Sequence, residues 1–162
     1  MKIRLKEIAD FKGNKVHYYS VYVDDEKYTL FEKFLLDNIE SNRKQVNSIL
    51  IRLTEMKKHY GAREHFFKMS EGKVGDGICA LYEKDLRLYC IRFNNSIVLL
   101  GNGGIKRTRT YQEDDKLHAI VKCLQKVSTI LDKHIKEEKD LIITEDNELI
   151  SDNINLYDDE SK

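Results

Sequence analysis

Between residues 78 and 101 three short apolar, β-rich runs follow one another: ICALYE, LRLYCIRF and SIVLLG. Only Lys84-Asp85 and Asn94-Asn95 separate them. Two residues suffice for a hairpin turn and are far too few for the crossover that parallel neighbours need. The stretch therefore reads as an antiparallel meander, and the rest of the chain must pack around it.

On either side of the turn signal KGN, the segments KIRLKEIADF and KVHYYSVYVD pattern as a first β-hairpin. Thr29 or Asp25 can start a helix through TLFEKFLLDNI, with Leu30, Phe31, Phe34 and Leu35 as its buried stripe. Ser41 precedes a second helix, in which Val46, Ile49, Leu50, Leu53, Met56 and Tyr60 recur three or four apart. From about Asp114 the helical period returns, with Leu117, Ile120, Val121, Leu124, Val127, Leu131 and Ile135 on one face as far as Lys139. DLIIT and ELI can add one small strand beyond it. This order predicts an α+β fold: an antiparallel sheet with a helical hairpin packed on one face, a C-terminal helix, and the other sheet face free to bind a ligand.

The length of 162 residues fits one domain, and the composition changes near residue 139. Residues 139–162 hold eight carboxylates against Lys139 and Lys162, a net charge of −6 that leaves +6 on residues 1–138. The expected organisation is a folded domain over 1–138 and an acidic tail over 139–162. The tail is either a solvated end or a screen over a basic site. No apolar run approaches the roughly 18 residues of a membrane span, and the charged start MKIRLKEIADFKG is not expected to be a signal peptide. Cys79, Cys90 and Cys123 are odd in number and lie in apolar-patterned segments, so they read as reduced thiols of a cytoplasmic protein. The five histidines show no ligand spacing with them, and neither a metal nor another cofactor is expected.

Chemistry concentrates in GNGGIKRTRTYQ, residues 101–112. GNGG lacks the Lys-Ser/Thr ending of a nucleotide-binding P-loop, which leaves the glycines as the exit of a strand with room for a close approach. The basic stretch after them either extends that strand or begins one more short segment. In an extended chain Arg107, Arg109 and Tyr111 share one side, because strand side chains alternate, and Lys106 points the other way.

Taken in order, KYTLFEKFLLDN, the amphipathic helix after it, FFKMSEGKVGDGICALYEKDLRLYCIRF and SIVLLGNGGIKRTRT resemble the RelE/HigB toxins of bacterial type II toxin–antitoxin systems. The resemblance spans roughly residues 17–131. That family's closing Gly-Phe-Ile-Lys-Lys-Thr stands here as Gly104, Ile105, Lys106, Arg107, Thr108, and Arg109, Thr110, Tyr111 replace its usual Lys-Thr-Pro. The resemblance implies a RelE-like fold and a ribosome-dependent mRNA endoribonuclease, in which the RNA's own 2′-hydroxyl attacks the adjacent phosphate without a metal. It implies a cognate antitoxin protein, mRNA and the ribosome as partners.

On that reading Arg87 falls where the family's strand arginine lies and binds phosphate. Arg107 and Arg109 grip one phosphate and stabilise its pentavalent state. Tyr111 stacks on a base, relays a proton, or is a buried structural residue. Lys106, if its segment is irregular, is a candidate general base with a pKa lowered by the arginines beside it. Lys68 and Lys73, flanking the preceding loop, contact the RNA or ribosome backbone. His118 packs in the last helix or lends acid–base help. Two other outcomes share the fold: a non-catalytic ParE-like binder of a topoisomerase, and an inactive form masked by its own tail.

Overall fold

The computed structural model describes residues 1–69, 76–109 and 111–158. Strands β1 (Lys2–Ile8) and β2 (His17–Val23) form the expected antiparallel hairpin. Helix α1 (Leu30–Asn38) begins at Thr29, whose hydroxyl accepts from Glu32 N while the Glu32 carboxylate accepts from Thr29 N, a reciprocal cap. Helix α2 (Arg43–Glu55) runs on into a π-helical turn, Met56–Tyr60, that stops at Gly61 with φ +74°. A 3₁₀ turn (Glu64–Phe66) precedes the meander β3 (Ile78–Glu83), β4 (Leu86–Arg92) and β5 (Ile97–Ile105). A second 3₁₀ turn (Tyr111–Glu113) leads to helix α3 (Asp115–Lys133), capped by Asp114 through a 3.0 Å bond from Leu117 N.

The six-stranded sheet has the order β3-β4-β5-β2-β1 and, at its far edge, β8 (Leu156–Tyr157). The meander is antiparallel as expected, but β2 runs parallel to β5, so the sheet is mixed. Its layering also corrects the expectation of a free face. Cys79, Leu81, Leu86, Leu88 and Cys90 pack with Phe31, Phe34, Val46, Ile49 and Leu53 of α1 and α2. Their alternate neighbours Ile78, Ala80, Tyr89 and Ile91 pack with Leu117, Val121, Leu124, Val127 and Leu131 of α3. Helices therefore cover both faces, and the central strands are apolar throughout.

Residues 139–158 belong to this fold. A π-helical turn (His134–Glu138) is followed by a small hairpin, β6 (Leu141–Ile143) with β7 (Leu149–Ser151), and then β8 pairs with Lys2 and Ile3 of β1. Leu141, Leu149 and Leu156 lie in the α3-side core, so the boundary expected near residue 139 separates elements that share one core. Buried His134 places Nδ1 2.8 Å from Asp140 Oδ1 and Nε2 3.1 Å from the Tyr157 carbonyl, which ties the segment to the end of α3. This acidic segment occupies the β1 edge, with β5, β2 and β1 between it and β4. Its described residues do not lie over the basic face, as one of the two readings of the tail had it.

Candidate functional site

Arg87 defines the site. The two-residue turn Lys84-Asp85 fixes the register that sets it opposite Tyr82 on β3, and on its other side it faces Gly104 of β5. Only 8% of the residue is exposed. Its Nη1 donates to the carbonyls of Lys84 (2.6 Å) and Leu86 (3.2 Å), while its buried Nε has no hydrogen-bond partner among the described residues. A buried, unsatisfied donor costs about 1–3 kcal/mol. An unsatisfied donor of that kind calls for an explanation, and a ligand that completes the guanidinium's hydrogen bonding is one.

Other cations gather around it. The Tyr82 ring meets Arg87 Cζ at 5.7 Å, Lys68 Nζ at 4.9 Å and Arg52 Cζ at 5.4 Å from its centroid. Lys68 is held there by a two-way backbone bridge to Ala80, 2.8 and 2.9 Å. Arg52 reaches in from α2, donating to the Tyr82 carbonyl at 3.0 Å with Glu83 3.8 Å away. Among the described residues, none of the ion pairs involves Lys68, Arg87, Lys106, Arg107 or Arg109. Cations without counterions, crowded at one end of a sheet, favour an anionic ligand.

The glycines explain how the basic segment reaches this corner. Between Leu88–Gly103 and Cys90–Leu100, β5 spends three residues where β4 spends two, a bulge at Gly101-Asn102. A Cβ on Gly103 would lie 1.9 Å from the Arg87 carbonyl oxygen, so β5 approaches β4 there as only glycine permits. The extra residue reverses the alternation that follows. Gly104 joins Arg87 on the α3 side, Ile105 packs with the α1–α2 core, and position 106 returns to the side of Arg87. Lys106 N donates to Asp85 O at 2.7 Å, which pins it beside the turn that Arg87 also grips.

That geometry corrects the extended reading of residues 105–111. The strand ends at Ile105, and exposed Arg107 and Arg109 lie in the irregular connection beyond it. Tyr111 does not line up with them on a strand. It opens a 3₁₀ turn, packs against the α3-side core and has its ring 6.1 Å from that of His118. Lys106 is thus the cation of this segment whose backbone is joined to the turn that Arg87 grips. Lys73 lies outside the described residues.

Three participants carried no sequence signal strong enough to single them out. Tyr82 and Arg52 are two, although the two-residue turn implies the Tyr82–Arg87 pair. The third is Lys116 in the first turn of α3: a Cβ on Gly104 would sit 3.9 Å from its Nζ, so the ammonium hangs over the glycine facing Arg87. The described residues hold no group of three or more His, Cys, Asp or Glu side chains able to bind a metal. No helix among them is long and apolar enough to cross a membrane. No family model matches the chain, and neither a curated protein nor a solved structure does.

Proposed function

We propose that this chain is the toxin of a toxin–antitoxin pair, a ribosome-dependent mRNA endoribonuclease that works by 2′-hydroxyl attack. The observation that carries the reading is Arg87, buried and unsatisfied at Nε, with Lys68 and Lys116 near it and the Lys106 backbone joined to the adjacent turn. In the reaction the 2′-oxygen bonds to phosphorus, the bond to the 5′-oxygen breaks, and a 2′,3′-cyclic phosphate and a 5′-hydroxyl result. Negative charge grows on the non-bridging oxygens, where Arg87 and the lysines act. Lys106 is the candidate to take the 2′ proton. Tyr111 and His118, paired at the start of α3, are the candidates to return one to the 5′-oxygen. Exposed Arg107 and Arg109 hold the adjoining backbone. The antitoxin and the ribosome enter as partners through the resemblance alone.

Purified protein added to a translation extract is expected to cut mRNA, and Arg87→Ala or Arg107→Ala to abolish cutting. If both variants cut like wild type, the assignment is wrong. Growth arrest with intact mRNA overturns the reading in favour of a ParE-like binder.

A further inference from the structure

Beside this corner runs a feature that the reading above does not use. Four rings form an unbroken series across the π-helical turn after α2 and the 3₁₀ turn that follows. His59 meets Tyr60 at 5.9 Å, Tyr60 meets Phe66 at 5.9 Å, and Phe66 meets His65 at 4.2 Å between centroids. Tyr60 is 54% exposed, and both histidines are exposed. Exposed Lys58, Arg63 and Lys68 interleave with the rings and enter no ion pair among the described residues. Tyr60 and Phe66 line a groove of about 400 Å³ between α2 and β3, whose wall includes Arg52 and Glu83. Arg52 of the groove wall also meets the Tyr82 ring, against which Lys68 and Arg87 lie, so one side chain joins the groove to the Arg87 cluster.

We infer that this groove binds the unpaired bases of single-stranded RNA next to the phosphate held at Arg87, an inference that rests on the proposed function. Stacking on aromatic faces beside a cationic track is how a single strand is held without sequence readout. Two nearby carboxylates have cationic partners: Glu83 lies 3.8 Å from Arg52 and Glu64 3.6 Å from Arg92. A protein helix would call for a run of aliphatic side chains, and the groove offers Ile51 alone. Rings and free cations favour the polyanion with flat bases.

The test uses full-length protein and fluorescence anisotropy with two 12-nucleotide probes. One is a 2′-O-methyl RNA, which cannot undergo 2′ attack; the other is an abasic strand of equal length. Wild type is expected to prefer the base-bearing probe by about fivefold to a hundredfold, and Tyr60→Ala to lose most of that preference while binding the abasic probe as before. Equal binding of the two probes by wild type overturns the inference, as does a Tyr60→Ala variant that binds both like wild type. A wild-type dimer dissolved by Tyr60→Ala, without base-dependent binding, also overturns it and marks a self-association surface. Cleavage that survives in Arg87→Ala while the Tyr60 effect persists refutes the catalytic reading and leaves the groove standing.

Discussion

Alanine at two adjacent glycines should have opposite effects. A Cβ on Gly103 would lie 1.9 Å from the Arg87 carbonyl oxygen, 2.8 Å from Arg87 C and 3.0 Å from Leu88 Cα, all backbone atoms with no rotamer to escape into. Relief requires β4 and β5 to part by about 1 Å, which takes ladder bonds out of hydrogen-bonding range. Two lost bonds at about 0.5–1.5 kcal/mol each and a strain of about 1–3 kcal/mol oppose an unfolded-state gain of about 0.4–1 kcal/mol. The net cost is about 3 kcal/mol. At about 2.1 cal/mol/K per residue, that lowers the Tm of a 162-residue domain by about 9 °C. A Cβ on Gly104 would meet only Leu117 Cδ2 at 3.6 Å and Lys116 Nζ at 3.9 Å, both on side chains able to move. Gly104→Ala should therefore melt at or about 1–3 °C above wild type. Calorimetric melting of both variants checks the pair. If Gly103→Ala melts with wild type, the bulge is not built as described, and the placement of Lys106 beside Arg87 falls with it.

Asp114→Ala removes the cap on α3 and should cost about 1 kcal/mol, or about 3 °C in Tm; an unchanged melt would show that the cap contributes nothing. Burial pushes the Asp140 carboxyl up, but hydrogen bonds from His134 and Asn153 outweigh it and hold the value below the ordinary carboxylate range. Its stabilisation is therefore complete above the unfolded value of about 3.9 and is lost as pH falls through the folded one. Asp140→Asn should be less stable than wild type at neutral pH by urea unfolding, with the gap closing below about pH 4; a gap independent of pH contradicts the pairing. Cys79 and Cys90 are buried, and burial pushes the Cys90 thiol well up, whereas Cys123 is half-buried. A thiol reagent should reach Cys123 alone in the native protein, slowly because burial raises its pKa, and all three after denaturation.

Local rules made most elements readable. Two-residue links dictated the meander, and Thr29 was one of two candidate starts for α1, the one that the reciprocal cap with Glu32 selects. The period of α3 named Leu117, Val121, Leu124, Val127 and Leu131 among its buried residues and missed Ile130; it could not say which sheet face they would cover, and they closed the face expected to be free. Nothing local signals that β2 will lie parallel to β5, because that pairing joins segments some 80 residues apart. In the tail, DLIIT and ELI read as one small strand, but the carboxylates around them concealed that Leu141, Leu149 and Leu156 enter the core. The site was half legible. Arg87 followed from the order of parts, and its partner Tyr82 was implied by the turn. Simple alternation selected Arg107, Arg109 and Tyr111 as a set, and the end of the strand at Ile105 undid it, because alternation does not carry through the irregular connection and the 3₁₀ turn beyond.

On the proposed function, Arg87 and the cations around it cleave RNA at a phosphate. The direct measurement is the fate of end-labelled mRNA on programmed ribosomes, with wild type, Arg87→Lys and Arg87→Ala compared and their folds checked by circular dichroism. Wild type should release fragments ending in a 2′,3′-cyclic phosphate. Arg87→Ala should slow cleavage by about a hundredfold or more, and Arg87→Lys should restore part of the rate. Intact mRNA with wild type, or equal cutting by folded Arg87→Ala, would contradict the account.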